Sequence, residues 1–106
     1  IILPPKPRPS DIHSWHLFVI QLRDDATISR DSFIEKMHSN GVGCSVHYVP
    51  LHNHPYWKNR YDLEPEMFPT SQRVYDASVS LPIYSKMSDD NVFNVIKTVK
   101  NVLKIR

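Results

Sequence analysis

The chain has 106 residues, of which 41% are hydrophobic and 23% charged, with two glycines and a net charge of +2; this is typical of one globular domain and excludes disordered chains, collagens and repeat arrays. Its single cysteine, Cys44, excludes an internal disulfide, and no apolar run approaches the roughly 20 residues that span a bilayer, so we expect a domain of the reducing cytoplasm without membrane association. Charges of both signs are interspersed, and nothing in them indicates nucleic-acid binding.

The chain opens with a proline-rich segment. Four prolines within the first nine residues remove backbone donors and fix φ, which predicts an extended connector over residues 1–12. The sequence starts at Ile1 without an initiator methionine, so we expect the connector to come from a missing N-terminal domain. Residues 13–106 are predicted to form the folded domain.

Aromatic and β-branched residues over 13–22 predict the first strand. Alternation places Phe18, Ile20 and Leu22 on one face and Trp15, Leu17 and Val19 on the other. Both faces are apolar, so we expect cover on both sides, with the second layer supplied either by this domain or by a missing domain. A helix over about 30–40 follows, capped by Ser29 and ended by Asn40 and Gly41.

The second half of the chain predicts two more strands and two more helices. Residues 42–49 alternate as a strand, and 50–69 form a proline-punctuated loop with a helical turn near 56–60. A short helix capped by Thr70 or Ser71 leads into a strand over 79–82, and a last helix begins after Ser88. The predicted class is α+β: a two-layer small domain with an about three-stranded, mainly antiparallel sheet and helices packed on one face.

Three histidines cluster with the cysteine in the pattern Cys44-x-x-His47-x-x-x-x-His52-x-His54. Zinc is one candidate, but Cys44 and His47 have opposite parity on a strand, which argues against a shared ion. The apolar parity of Cys44 favours a buried, inert thiol over a nucleophile. No glycine-rich phosphate loop or nucleophile elbow is present, so this chain is not expected to hold a complete active site.

The segment His47-Tyr48-Val49-Pro50-Leu51-His52 is the best candidate for ligand contact. Imidazole and phenol groups at a strand end donate hydrogen bonds to phosphate or hydroxyl oxygens, and the proline fixes the loop that presents them. The residues alone leave a second interpretation open, in which Tyr48 belongs to the core and His47 caps a loop carbonyl.

Several motifs resemble the C-terminal small domain of DegT/DnrJ/StrS-type sugar aminotransferases, over residues 13–103. The motifs are Trp15-His16-Leu17-Phe18-Val19-Ile20, Arg30-x-x-Phe33, Gly41-Val42, His47-Tyr48-x-Pro50-Leu51-His52-x-x-Pro55-Tyr56, Phe68-Pro69 and Ser80-Leu81-Pro82-x-Tyr84-x-x-Met87-Ser88. The resemblance implies a pyridoxal phosphate (PLP) enzyme of the aspartate aminotransferase fold, fold type I, that moves an amino group from glutamate to a nucleotide-linked keto-sugar in polysaccharide biosynthesis. It also implies a homodimeric parent protein.

What the resemblance implies for this chain is narrower. The lysine that binds the cofactor lies in the N-terminal PLP domain of such enzymes, so this chain is expected to hold no catalytic residue, to be inactive alone and not to retain PLP. His47, Tyr48, His52 and Tyr56 are the expected substrate-binding residues. Two alternatives remain open: some similar proteins are PLP-dependent sugar dehydratases, and the histidine segment could serve a free-standing metal- or anion-binding module.

Overall fold

The structure, a computed structural model, describes residues 1–105 and contains two strands and four α-helices. In chain order they are β1 (Phe18–Gln21), α1 (Arg30–Ser39), α2 (Pro55–Tyr61), α3 (Pro69–Ala77), β2 (Ser78–Leu81) and α4 (Asp89–Leu103). Short 3-10 turns occupy Leu51–Asn53 and Pro65–Met67. The predicted α+β class is confirmed.

The sheet has two strands, so the prediction of about three strands is wrong for the described residues. β1 and β2 pair antiparallel, with Phe18 opposite Leu81 and Gln21 opposite Ser78. The predicted strand over 42–49 shrinks to one antiparallel bridge between Ser45 and Ser80, whose backbone groups exchange bonds of 3.1 and 2.8 Å. Beyond that bridge, residues 46–49 lie outside the two strands, and the His47 side chain is joined to the Ser80 hydroxyl by a hydrogen bond.

The expectation that both faces of β1 are apolar is also corrected. Phe18 and Ile20 lie opposite Leu81 and Val79 on the helix-covered face, and Ile20 is fully buried. On the other face, Val19 and Gln21 lie opposite Ser80 and Ser78, so that face is largely polar. The polar partners come from β2, which lies about sixty residues along the chain and was invisible to the local alternation.

Residues before Phe18 leave the predicted strand because Trp15 has a φ of +48°, a left-handed conformation that interrupts extended pairing. The backbone N–H of Trp15 donates to His13 Nδ1, and the indole stacks near Phe18. The proline-rich segment is joined to the sheet by one bridge, at which Ile2 and Gln21 exchange backbone hydrogen bonds of 2.8 and 3.0 Å.

Helix ends follow the local signals in three of four predicted cases. The hydroxyls of Ser29 and Ser88 accept from the N–H groups three residues on, which confirms both caps. Gly41, with a φ of +76°, follows the end of α1. The predicted cap of α3 at Thr70 or Ser71 is wrong, because Pro69 is the first helical residue and Phe68 precedes it without a side-chain cap.

The core lies between the sheet and helices α1 and α4. Phe33, Met37, Ile20 and Val79 are fully buried, and Val95 and Val99 close the cluster from α4. Arg30 links α1 to α3: its guanidinium donates to the Tyr75 carbonyl at 2.8 Å and lies 4.6 Å from the Tyr75 ring centre. Burial alone would lower the pKa of Arg30, but its hydrogen bonds to Asp31 and Tyr75 outweigh that effect and raise the pKa.

The apolar residues of α4 are buried along only part of the helix. Val95 and Val99 are buried, whereas Val92 and Ile96 are 39% and 46% exposed. Together with Trp15, Phe18 and Met87 they line an apolar groove of about 330 Å³ at the end of the sheet. None of the helices within residues 1–105 is long and apolar enough to cross a membrane.

Candidate functional site

His47 lies where the chain leaves the edge of β2, with its imidazole fixed against the polar face of the sheet. Its Nδ1 and the Ser80 hydroxyl are joined by a hydrogen bond of 2.9 Å. Among the described residues Nε2 has no partner, so one ring nitrogen holds the side chain and the other remains available to a ligand.

Tyr48 projects outward beside His47. Its side chain is 73% exposed, and its ring meets the His47 ring edge-on at 4.8 Å between centroids. The interpretation that places Tyr48 in the core is therefore excluded. The phenol and the imidazole emerge together, as expected for a surface that recognises hydroxyl or anionic oxygens.

A cavity of about 480 Å³ lies between this pair and helix α3. We call it the hydroxyl pocket, because the residues with polar side chains that line it are His47 and five hydroxyl-bearing residues, Tyr48, Thr70, Ser71, Tyr75 and Ser78. Its volume falls within the range of about 300–1,000 Å³ that is common for small-molecule sites. Of the sequence-predicted site residues, the structure brings His47 and Tyr48 together at this pocket.

His52 occupies a different environment from that pair. It is only 4% exposed, stacks on Phe68 at 4.8 Å, and its Nε2 lies 2.9 Å from Gln72 Oε1. The same Gln72 oxygen accepts from Asn53, and the Gln72 amide donates to Asp76. Because a carbonyl oxygen only accepts, His52 must carry its proton on Nε2, which ties the 3-10 turn after Pro50 to α3.

Tyr56 lies on α2 and is 68% exposed. It meets Trp57 edge-on at 5.0 Å, and Trp57 stacks with Tyr61 at 5.9 Å, so α2 carries a row of aromatic rings. Tyr56 does not line the hydroxyl pocket. The structure therefore separates it from His47 and Tyr48.

Within residues 1–105, Cys44 and the lysines do not line the hydroxyl pocket. Burial raises the pKa of the half-buried Cys44 thiol, which packs against the core. Within residues 1–105, no three His, Cys, Asp or Glu side chains are close enough to share a metal ion. None of the seven lysines lines the hydroxyl pocket; six are exposed and Lys58 pairs with Glu64 at 3.3 Å.

Sequence reasoning missed the serines and the glutamine that complete this region. Ser80 holds His47, Gln72 holds His52, and Ser78 lines the hydroxyl pocket. Ser80 belongs to the Ser-Leu-Pro motif quoted above. Had the sequence shown that this motif pairs with residue 45, the contact between Ser80 and His47 would have followed. Nothing local marks Gln72, which lies in the middle of a short helix.

Comparison with known proteins gives one consistent picture. The sequence profile of the DegT/DnrJ/EryC1/StrS aminotransferase family matches residues 1–100. The chain is 39% identical over 92 residues to the uncharacterized protein MJ1066 of Methanocaldococcus jannaschii, covering 86% of this chain and 24% of that protein. It is 36% identical over 94 residues to the spore coat polysaccharide biosynthesis protein SpsC of Bacillus subtilis, covering 87% and 24%.

Among solved structures, the chain is similar to Spr1654 of Streptococcus pneumoniae, which is assigned as a sugar aminotransferase. The PMP form of that protein superposes with a TM-score of 0.77 at 26% identity, covering 84% of this chain and 22% of Spr1654; its PLP form gives the same values. The chain thus spans about a quarter of the length of the relatives it matches.

Proposed function

Because this chain belongs to the DegT/DnrJ/EryC1/StrS aminotransferase family, we propose that it is the C-terminal small domain of a PLP-dependent sugar aminotransferase. The parent protein transfers an amino group from glutamate to a keto group on a nucleotide-linked sugar. In this proposal residues 1–12 connect to an N-terminal PLP domain, and residues 13–106 form the small domain. The share of about a quarter of each relative's length supports a division of this kind.

The cofactor belongs elsewhere in the parent protein. PLP, which the family implies, takes part in transamination by accepting and returning the amino group on its aldehyde carbon. The described residues do not fit it, because no lysine lines the hydroxyl pocket and no Asp or Glu does either. We therefore propose that this chain neither retains PLP nor catalyses the reaction alone.

This chain contributes to the substrate side of the site. The observation that best supports this proposal is the position of His47. Ser80 holds its ring through Nδ1 and leaves Nε2 available, and the ring lies beside the exposed Tyr48 at a cavity of small-molecule size. We assign direct contact with the nucleotide sugar to His47 and Tyr48. Tyr56, which is exposed on α2 and does not line the hydroxyl pocket, is proposed as a separate substrate contact.

His52 acts in the proposal by holding the loop. The sequence prediction made it a direct contact, but its 4% exposure and its bond to Gln72 leave little room for a ligand. Its effect on substrate binding is therefore transmitted through the loop after Pro50. The parent protein is further proposed to be cytoplasmic and to be a homodimer, and light scattering of the full-length protein would test the oligomeric state.

The experiment is an assay of the full-length protein with glutamate and a nucleotide-linked keto-sugar. We expect one equivalent of 2-oxoglutarate for each amino-sugar detected by mass spectrometry. The 106-residue chain at the same concentration serves as the control and is expected to form neither product. Loss of water from the sugar without amination would overturn the proposal in favour of a dehydratase.

A further inference from the structure

The Ser78 hydroxyl is an unpartnered polar group at the wall of the hydroxyl pocket. Ser78 is only 6% exposed, yet its side chain makes no hydrogen bond with any residue in 1–105. No fully enclosed side-chain nitrogen or oxygen lacks a partner in that range. The Ser78 oxygen therefore keeps some accessible area, and Ser78 is one of the residues that line the hydroxyl pocket.

The start of α3 supplies further free hydrogen-bonding groups to the lining of the pocket. Thr70 and Ser71 lie in the first helical turn, where backbone N–H groups have no intrahelical acceptor, and no side chain caps this end. Both residues line the pocket, and each also carries a hydroxyl group. Together with His47, Ser78 and Tyr48, they give the pocket a lining of residues that can donate hydrogen bonds.

The charge of the lining distinguishes between possible ligands. No Lys, Arg, Asp or Glu lines the pocket within the described residues, whereas phosphate sites usually employ Arg or Lys. Hydroxyl groups both donate and accept, which matches the hydroxyls of a sugar. Val46, Pro50 and Val74 supply apolar surface of the kind that contacts the carbon face of a sugar ring.

We propose that the hydroxyl pocket is a subsite for a neutral pyranose ring, with Ser78, Thr70 and Ser71 bonding its hydroxyls and His47 at the entrance. The inference rests on the proposed function for the identity of the substrate and deepens it. It assigns the sugar portion, rather than the phosphates or the base, to this pocket.

The test is a titration of the 106-residue chain, labelled with ¹⁵N, with methyl β-D-glucopyranoside. We expect saturable shifts in the amide signals of Ser78, Thr70 and Ser71. Ser78→Ala should weaken binding by about threefold or more, the size of one lost hydrogen bond. Ser85→Ala removes a hydroxyl from an exposed turn outside the pocket and should leave affinity unchanged.

A second variant keeps the test decisive if Ser78→Ala perturbs folding. Thr70→Val changes an exposed residue in the first turn of α3 and should weaken the pyranoside by a similar factor. Wild-type affinity in both variants would overturn the proposal. Shifts of these amides by inorganic phosphate but not by the pyranoside would also overturn it and identify an anion pocket.

The two proposals fail in different ways. Absence of saturable pyranoside shifts overturns the subsite even where the full-length protein transaminates a nucleotide sugar. Saturable shifts at Ser78 with no glutamate-dependent amination by the full-length protein support the subsite and overturn the aminotransferase proposal.

Discussion

His47 and Ser80 are 33 positions apart in the sequence and are joined by a hydrogen bond of 2.9 Å between Nδ1 and the hydroxyl. Ser80 is only 5% exposed and exchanges two backbone hydrogen bonds with Ser45. One serine thus fixes both the backbone just before His47 and the His47 ring itself. The orientation of the candidate ligand-binding imidazole is set by β2.

Substitutions at His47 and Ser80 should affect one substrate of the parent protein selectively. In the full-length protein, we expect His47→Ala to raise KM for the nucleotide sugar about tenfold, since a substrate contact is lost, while KM for glutamate stays within about twofold. Ser80→Ala should give a smaller increase of about threefold because it frees the ring without removing it. Ser85→Ala is the control, and equal changes in both KM values would contradict the role.

His52 should contribute to stability more than an exposed histidine does. We expect His52→Ala to lower the free energy of unfolding by about 1–3 kcal/mol, because Gln72 loses a buried partner and Phe68 its stacking surface. Urea denaturation of the 106-residue chain measures the change. His38→Ala on the exposed side of α1 is the matched control, expected within about 0.5 kcal/mol of wild type.

Two phenylalanines give a matched test of the core. Phe33 is fully buried and Phe93 is 68% exposed, and both lie on helices. We expect Phe33→Ala to cost about 3–5 kcal/mol through lost burial and a cavity. Phe93→Ala should cost under about 1 kcal/mol. Similar losses in thermal or urea unfolding would show that the core is placed wrongly.

The sequence predicted the elements whose signals are local. Ser29, Ser88 and Gly41 mark helix ends through contacts within a few residues, and these predictions are confirmed. The prediction of a third strand over residues 42–49 was wrong. Strand formation depends on pairing with a distant segment, here a single bridge to Ser80, and the local periodicity of the sequence contains no information about that partner.

The site was predictable to a similar extent. His47 and Tyr48 were selected as candidate ligand contacts because they lie at the end of the predicted strand, just before Pro50. The structure brings both residues to one pocket. The burial of His52 was not foreseeable, because Gln72 reaches it from 20 positions away. A polar side chain of that kind carries no periodic signal.

The raised pKa of Cys44 makes a prediction about its reactivity and its effect on stability. Burial raises the pKa of the thiol, so less thiolate is present in the folded chain at a given pH. We expect iodoacetamide to alkylate Cys44 more slowly in the folded chain than in urea at pH 8.

The same shift has a definite sign in stability. The folded thiol holds its proton to a higher pH than the unfolded thiol does. The contribution of Cys44 to the free energy of unfolding is therefore fully present below the unfolded pKa, and it declines as the pH rises from the unfolded pKa through the folded pKa. Cys44→Ser should remove this decline from the unfolding free energy measured across alkaline pH. If iodoacetamide alkylated Cys44 as fast in the folded chain as in the unfolded chain, the inferred burial of the thiol would be contradicted.

The apolar groove beside α4 should bind a hydrophobic dye. Its walls include Trp15, Val92 and Ile96 and carry no polar surface. We expect the 106-residue chain to enhance the fluorescence of such a dye, and Ile96→Lys to reduce that enhancement by about half or more. Asn101→Lys, an exposed change on the same helix, is the control. An equal reduction by both variants would assign the effect to charge alone.

The bridge between Ile2 and Gln21 leads to a consequence for self-association. An open strand edge invites strands from other molecules to add to the sheet. Continuing the register from Ile2 would place Pro4 opposite Val19, and proline has no N–H to donate to a neighbouring strand. The proline-rich segment thus lies along the outer edge of β1 and pairs with it at one bridge only. At the outer edge of β2, Ser45 likewise forms a single bridge, with Ser80. Because another segment of the chain covers part of each outer edge, this two-stranded sheet is poorly suited to act as a template for aggregation.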